Sequence, residues 1–293
     1  MYSYFFLGVS LETNCRIPFL KSNEMENYSK NYECYKKIVA HIEIINDYEN
    51  EKPYGIRYLS ADKVCITFQF VKYILFLKEN RMQVYAKTTE IIFYTLFNIP
   101  LSFMLSANDI ILFHSSACII DNTICAFTGE KGMGKSTLIK KLMKRGIEIY
   151  SDDSIAIINQ ELECFNSYNF MKIKKDNKNN LGEIDILHYN EITDKYLCPI
   201  HATLAKRKIA HIYVLKRGVY RDYTIEEIKQ RKEKILALYG GIVGIKFFSS
   251  QIKAKVVNGE IFKKIVDNIQ FSYLYIPDET IDSNKIEGII TKL

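Results

Sequence analysis

The stretch GEKGMGKST, residues 129–137, decides how the fold of this chain is interpreted. It fits the pattern G-x-x-x-x-G-K-[ST], with Gly129, Gly134, Lys135 and Ser136 at the defined positions. The apolar run TICAFTG ends at the first of these glycines, and the residues after the lysine are apolar at helical spacing. This order of strand, glycine-rich loop and helix predicts a loop that binds the phosphates of a nucleotide.

Each residue type in this loop has a physical reason to be there. Glycines tolerate positive φ and let backbone N–H groups point at phosphate oxygens. The helix that begins near Lys135 adds its positive end, the lysine ammonium bridges the β- and γ-phosphates, and the Ser136 hydroxyl can bind Mg²⁺. A glycine-rich turn that merely caps a helix is the alternative. The predicted nucleotide-binding residues are Gly129, Glu130, Lys131, Gly132, Met133, Gly134, Lys135, Ser136 and Thr137.

Two adjacent carboxylates, Asp152 and Asp153, end the short stretch SDD that follows the run IEIY. One helix and one strand separate them from Lys135. If that strand lies near the loop's own strand, both carboxylates arrive beside the phosphates. One carboxylate could then hold Mg²⁺ together with Ser136, and the other could accept a proton from an attacking hydroxyl. A solvated turn is the alternative interpretation of the pair.

The remaining pattern suggests two regions, 1–105 and 106–293. The first alternates short β-rich runs with polar connections and has no chemical motif, whereas the second alternates strands and helices. The run YFFLGVSLE near the N-terminus is typical of a first strand. Residues 91–105 are apolar but too short for a membrane span, which favours a buried helix.

Near the C-terminus, Thr224 and Glu227 have the spacing of a capping box. They predict a helix of about four turns that begins there.

Composition limits the class of protein. The 293 residues are 48% hydrophobic and 25% charged, as expected of a globular chain. A net charge of +6 is spread along the sequence, which argues against nucleic acid as a partner. The seven cysteines have neither C-x-x-C pairing nor zinc-ligand spacing, and no secretory signal is recognisable. We therefore expect a cytoplasmic protein with reduced thiols and no membrane association.

Basic residues are frequent after the aspartate pair. They could clamp phosphates or an acidic peptide, or simply face water. They are Lys172, Lys174, Lys175, Lys178, Lys195, Lys206, Arg207 and Lys208.

The segment LFHSSACIIDNTICAFTGEKGMGKSTLIKKLMKRGIEIYSDD, residues 112–153, resembles the catalytic domain of HPr kinase/phosphorylase. That family combines a histidine-bearing strand, a phosphate loop and a strand ending in Asp-Asp. The chain looks closer still to the precursor-peptide kinases of lasso-peptide type, in which H-x-S-[AG] precedes G-x-x-G-x-GKST. The matching positions are His114, Gly129, Gly132, Gly134, Lys135, Ser136, Thr137, Asp152 and Asp153.

The resemblance implies a mixed α/β (α+β) fold with a P-loop core related to PEP carboxykinases, preceded by a β-rich N-terminal region. It implies transfer of a phosphoryl group from ATP, with Mg²⁺, to a serine or threonine hydroxyl. The motif alone would also suit another nucleoside triphosphate as the donor. By this analogy one aspartate is the base, the other supports the metal with Ser136, and His114 lies beside the pair with Lys135. Of the two carboxylates we favour Asp153 as the base and Asp152 as the metal ligand, and the opposite assignment stays open. The acceptor would be a ribosomally made precursor peptide or a small protein, and the enzyme could form homo-oligomers.

The sequence departs from the bifunctional enzymes because it lacks their second signature, LE-[IV]-RG-x-G. Neither phosphorylase activity, nor the HPr substrate, nor hexameric assembly is therefore carried over. Two other functions remain open at this point. One is a kinase for free serine or another metabolite hydroxyl, and the other is a nucleotide-dependent switch without phosphotransfer.

Overall fold

In a computed structural model, the chain is a mixed α+β protein with several sheets and seven α-helices among the described residues. The structure describes residues 1–18, 36–48, 50, 54–166, 170–174, 188–190, 195–200, 205–278 and 282–290. Two compact units are present. Unit 1 contains Met1–Leu112 with Ile242–Phe262, and unit 2 contains Phe113–Gly241 with Lys263–Leu293.

Unit 1 is built on a seven-stranded sheet of order β1-β2-β3-β7-β6-β5-β4. Only the pairs β2–β3 and β3–β7 are parallel. Strands β6 and β7 alternate buried and partly buried residues, as expected of a sheet with one more tightly packed face. The strands are β1 (Tyr2–Phe6), β2 (Val9–Thr13), β3 (Lys36–Ile44), β4 (Tyr54–Ser60), β5 (Lys63–Phe68), β6 (Val71–Phe76) and β7 (Arg81–Ala86).

The single N-terminal strand expected from YFFLGVSLE is wrong, because this run forms the hairpin of β1 and β2. Leu7 and Gly8 both have positive φ, 51° and 72°, and Phe6 pairs with Val9. Two successive residues at positive φ make the tight two-residue turn that joins antiparallel strands. Leu7 is fully buried at this turn, and its apolar character hides the break in the sequence.

The buried apolar helix expected at residues 91–105 is two helices, α1 (Thr89–Leu96) and α2 (Ile99–Ala107), bent by 58° at their junction. Pro100 occupies the first turn of α2, where its missing N–H costs no hydrogen bond. No single helix among the described residues is long and apolar enough to cross a membrane, although this bent pair satisfies the length and composition criteria jointly. Both helices are largely buried in unit 1.

Unit 1 also contains a 3-10 turn, Ile245–Phe247, and helix α5 (Ser250–Asn258). The Tyr58 hydroxyl donates to the Phe247 carbonyl oxygen at 2.9 Å and ties this returning segment to the sheet. The ring of Phe103 on α2 packs edge-on against the ring of Phe248, with 4.8 Å between the ring centroids.

Unit 2 has a large sheet in which neighbouring strands follow the order β11-β9-β10-β17-β13-β12, with β19 and β18 continuing from β17. Strand β8 (Ile111–Phe113) contains the division between the units. The other strands are β9 (Ser116–Ile120), β10 (Thr123–Thr128), β11 (Ile149–Ser151), β12 (Ile155–Ile157), β13 (Glu163–Asn166), β17 (Arg207–Gly218), β18 (Thr224–Glu227) and β19 (Gln270–Pro277).

A separate three-stranded sheet in unit 2 has the order β14-β16-β15, and we call it the small sheet. The remaining helices are α3, α4, α6 and α7, of which α6 begins in unit 1 and ends in unit 2. The bounds are β14 (Phe170–Lys174), β15 (His188–Asn190), β16 (Lys195–Pro199), α3 (Lys135–Lys144), α4 (Arg231–Gly241), α6 (Glu260–Asn268) and α7 (Ser283–Ile290).

The capping box expected at Thr224 and Glu227 is wrong. These residues form β18, which pairs antiparallel with β19, and the helix begins only at Arg231. Ile225 packs against the core of unit 2, and Ile228 is 1% exposed. Tertiary pairing therefore overrides a local signal that is common to caps and to β-branched edge strands.

The order of strands in unit 2 places the two predicted motifs at one edge of the sheet. Strand β9 lies between β10 and β11 and is antiparallel to both, so β10 and β11 run in the same direction. The carboxyl ends of β10 and β11 and the amino end of β9 therefore meet at the same edge. Helix α3 covers these strands with Leu138, Ile139 and Leu142, which are fully buried.

Candidate functional site

A cavity of about 420 Å³ lies at this edge of the sheet, entirely within unit 2. It brings together residues from the glycine loop, from the turn after β11 and from the small sheet. Its lining residues are His114, Lys131, Gly132, Gly134, Lys135, Ser136, Thr137, Lys140, Asp152, Asp153, Met171, Lys172, Ile173 and Lys195.

The loop between β10 and α3 depends on three glycines with positive φ. Gly129, Gly132 and Gly134 have φ values of 147°, 95° and 92°. An added Cβ on Gly129 would lie 3.0 Å from the backbone oxygen of Leu215 on the neighbouring strand, so this position also requires the absence of a side chain. Gly134 is the N-cap of α3, which has no acidic residue in its first turn. The positive end of this helix therefore faces the cavity without an internal counter-charge.

Lys135 begins helix α3 and is only 8% exposed. Its ammonium donates hydrogen bonds to the carbonyl oxygens of Gly129 at 2.8 Å and Glu130 at 3.2 Å, which hold it over the loop. Burial lowers the pKa of Lys135, and the neighbouring Asp152 and Asp153 partly oppose this change. An ammonium held in this way is well placed to bind an anion that enters the loop.

Asp152 is buried, with 7% exposure, directly after β11. Burial, and then the charge of Asp153, raise the pKa of Asp152 from 3.8 to about 7. Hydrogen bonds from the Ser136 and Ser116 side chains oppose this rise because they stabilise the ionised carboxylate. Asp152 is therefore a carboxyl group that changes charge near neutral pH and that already contacts the hydroxyl of the loop serine.

Ser116 was not among the residues singled out from the sequence, although it belongs to the H-x-S-[AG] match. It begins β9 and is fully buried. Its hydroxyl lies 2.9 Å from the Asp152 carbonyl oxygen and 3.1 Å from Asp152 Oδ1. The spacing between the histidine and serine in that match is the signal that could have identified it.

Asp153 is more accessible than its neighbour, with 26% of its side chain exposed. Its carboxylate accepts a hydrogen bond from the Lys172 ammonium at 3.0 Å. Lys172 belongs to β14 in the small sheet, so the small sheet and the turn after β11 are joined inside the cavity. Of the two carboxylates, Asp153 is the more accessible to an entering molecule.

His114 lies immediately after β8 and is held by its backbone on both sides. Its N–H donates to the Gly241 carbonyl oxygen at 2.7 Å, and its own carbonyl oxygen accepts from the Thr128 hydroxyl at 3.2 Å. The imidazole Nδ1 lies 2.8 Å from the Asp153 carbonyl oxygen. Because a carbonyl oxygen only accepts, Nδ1 carries a proton and Nε2 is available to the cavity.

Burial lowers the pKa of His114, and the charge of Asp153 partly restores it. With 49% of the side chain exposed, water on the open side moderates this lowering. The imidazole is therefore suited to positioning the Asp153 turn in its neutral form.

Three of the predicted loop residues are not among the described residues that line the cavity: Gly129, Glu130 and Met133. Gly129 supplies the turn and a carbonyl oxygen for Lys135, and Met133 packs against the core of unit 2. Among the basic residues singled out from the sequence, Lys172 and Lys195 line the cavity, whereas Lys206 pairs with Glu163 at 3.2 Å. Lys175 and Lys178 lie outside the described residues.

The donor set fits a magnesium–nucleotide complex. No group of three His, Cys, Asp or Glu side chains that could hold a metal ion occurs in the part of the chain that the structure describes. Mg²⁺ in nucleotide sites is bound by one or two protein oxygens, with phosphate oxygens and water completing its shell. The Ser136 hydroxyl and the Asp152 carboxylate, which are hydrogen-bonded to each other, supply such a pair.

Comparisons with known proteins give distant structural likenesses. No family model and no curated protein matches the sequence. Among solved structures, the chain is similar to the HPr(Ser) kinase/phosphatase from Coxiella burnetii, with a TM-score of 0.31 and 16% identity over 62% of this chain and 87% of that chain. At this TM-score the likeness does not establish a shared fold, and what the chain does has to be inferred from its own geometry.

Proposed function

We propose that the protein is an ATP- and Mg²⁺-dependent kinase that transfers the γ-phosphoryl group to a serine or threonine hydroxyl. One observation carries the proposal. The glycine loop with Lys135 and the carboxylates Asp152 and Asp153 line one cavity at one edge of the sheet of unit 2. Phosphoryl transfer needs little more than anion binding, a metal-supporting carboxylate and a proton acceptor held together.

Each group in the cavity has a proposed role. The loop N–H groups and Lys135 bind the β- and γ-phosphates, and Ser136 and Asp152 hold the metal. When bound, Mg²⁺ neutralises charge on the phosphate oxygens. The more accessible Asp153 accepts the proton of the acceptor hydroxyl, and His114 positions the Asp153 turn through its backbone carbonyl.

The transfer step balances with these groups. The acceptor O–H bond breaks as its proton moves to Asp153, and the acceptor oxygen forms a bond to the γ-phosphorus. The bond between the γ-phosphorus and the β–γ bridging oxygen breaks, and ADP leaves with that oxygen. The chain contributes mainly positioning and charge stabilisation.

For the acceptor we propose a serine or threonine of a ribosomally made precursor peptide. This choice is supported by the sequence resemblance of residues 112–153 to precursor-peptide kinases. We place the reaction in the cytoplasm. The six cysteines among the described residues are free thiols, which suits a reducing compartment.

The experiment that tests the proposal incubates the purified protein with γ-labelled ATP, Mg²⁺ and a lysate of its own source. We expect label on a peptide or small protein, identified by mass, and none with an Asp152→Asn/Asp153→Asn double variant. Label on small metabolites only would favour a metabolite kinase. Release of free phosphate without any labelled acceptor would favour a nucleotide-dependent switch.

A further inference from the structure

The small sheet contributes two lysines, Lys172 and Lys195, to the wall of the cavity. In the register of β14 and β16, Lys195 lies directly opposite Lys174, and Lys172 is two residues before Lys174 on the same strand. Residues opposite each other across a strand pair share a face, as do residues two apart along one strand. Lys172 and Lys195 therefore occupy the same face of the small sheet, although they come from different strands.

The charges of these two lysines are compensated unequally. Lys172 pairs with Asp153 at 3.0 Å. Lys195 is half-buried, and its ammonium has no hydrogen bond or ion pair to any residue that the structure describes. Burial lowers the pKa of Lys195, and the like charge of Lys172 lowers it further, while the charges of Asp153 and Asp152 partly oppose this change. Two cations on one face of a sheet repel each other, so an anion between them would relieve an unfavourable arrangement.

The position of Asp153 indicates which anion this is. The proton acceptor must lie within hydrogen-bond reach of the attacking hydroxyl, which is in line with the phosphorus that it attacks. Lys172 contacts Asp153, and Lys195 lies on the same face of the small sheet as Lys172. Both ammonium groups are therefore near the place where the transferred phosphoryl group would lie. The glycine loop and Lys135 already supply the groups that bind the β-phosphate side of the nucleotide.

We propose that Lys195 and Lys172 on the small sheet bind oxygens of the γ-phosphoryl group. The glycine loop, at the start of α3, binds the phosphates on the opposite side. This inference rests on the proposed nucleotide-binding function. The small sheet would then make the protein bind a nucleoside triphosphate more tightly than a diphosphate. Charge at this place would also stabilise the transition state, in which negative charge spreads over the transferred oxygens.

The test measures the dissociation constants of Mg-ATP and Mg-ADP by calorimetry for the wild-type chain and for Lys195→Met, which keeps an unbranched side chain one atom shorter and removes its charge. We expect ATP binding to weaken about tenfold or more, as for one lost charge-assisted hydrogen bond, and ADP binding to change less than about twofold. Lys195→Arg should retain most of the preference for ATP. The matched control is Lys208→Met, which removes the same charge from an exposed position on β17 in the same unit.

Unchanged ATP binding by Lys195→Met would overturn the inference, and so would equal weakening of ATP and ADP. If Lys195→Met does not fold, the ratio of the ATP and ADP dissociation constants is measured for Lys172→Met instead. The same selective loss of ATP binding is expected. A wild-type chain that binds neither nucleotide would overturn the proposed function itself, whereas a wild-type chain that binds both with unchanged preference in the variants would overturn only the role of the small sheet.

Discussion

Ser116 at the start of β9 and Asp152 after β11 lie 36 residues apart and are joined through one buried hydroxyl, 2.9 Å from the Asp152 carbonyl oxygen and 3.1 Å from Oδ1. This contact exists because β9 is antiparallel to both of its neighbours, which brings its amino end to the carboxyl ends of β10 and β11. The hydroxyl fixes the carboxylate beside Ser136 of the glycine loop. The strand order of unit 2 thus builds the site from segments that are far apart in sequence.

Ser116→Ala should raise the pKa of Asp152 above its value of about 7, because the Ser116 hydrogen bond stabilises the ionised form. The pH at which Mg-ATP binding is half-maximal should move upward, and stability should fall by about 1 kcal/mol. The neighbouring Ser115 is a matched control, since its buried hydroxyl has no partner among the described residues. Ser115→Ala should leave the pH profile unchanged, and identical profiles for both variants would contradict the role of Ser116.

Lys135→Met should lower phosphotransfer at least about a hundredfold, because it removes the charge that faces the phosphates. The variant should remain folded. Burial already disfavours the charged form of this lysine, so its loss removes little stabilising energy. Transfer rates and thermal unfolding measured on the same preparation separate the two effects. Loss of activity that merely follows loss of folded protein would contradict this role.

Asp152 should make stability depend on pH. Its pKa is about 7 in the folded chain and 3.8 in an ordinary aspartate. Between about pH 4 and 7 the folded chain holds a proton that the unfolded chain releases, so the folded state loses stability as pH rises through this window. Asp152→Asn does not titrate. In metal-free buffer its Tm relative to the wild type should therefore increase from pH 4 to about 7 and then stay constant. A difference that is independent of pH would contradict the raised pKa.

Gly129→Ala and Gly132→Ala separate the effect of backbone strain at positive φ from the effect of a steric clash of the new Cβ. Both glycines have positive φ, so either alanine should cost about 1–2 kcal/mol of stability. Only at Gly129 would the new Cβ meet a neighbour, the Leu215 carbonyl oxygen at 3.0 Å, whereas nothing lies within 4 Å at Gly132. Gly129→Ala should therefore cost at least about 1 kcal/mol more by denaturant unfolding. Equal losses would indicate that contact with β17 does not matter.

The part of the fold that could be predicted from sequence is the part with strong local signals. The run before Gly129 forms β10, and the residues after Gly134 form α3. The expectations that were wrong concern turns and pairings decided by the rest of the chain. Leu7 makes a turn although it is apolar, and Thr224–Glu227 pairs with β19 instead of capping a helix.

The site shows the same distinction. The motif predicts which residues come from the loop, but the contribution of the small sheet depends on the register of β14 and β16, which local sequence does not encode. Lys172 and Lys195 were only two of several basic residues in the sequence. The boundary between residues 105 and 106 remains a prediction about independently folding domains, which only truncated chains can test. The compact units divide after Leu112, and unit 1 also includes Ile242–Phe262.

The most direct test of the account compares Mg-ATP binding and phosphotransfer in Asp153→Asn. The account predicts that binding stays within about threefold of the wild type while transfer falls at least about a hundredfold, because the lost group acts on the acceptor proton and not on the nucleotide. The control Asp267→Asn removes an exposed carboxylate that pairs only with Arg231 in the described part of the chain, and it should retain both properties. Full transfer by Asp153→Asn would contradict the central claim that this cavity contains the proton acceptor of a phosphoryl transfer.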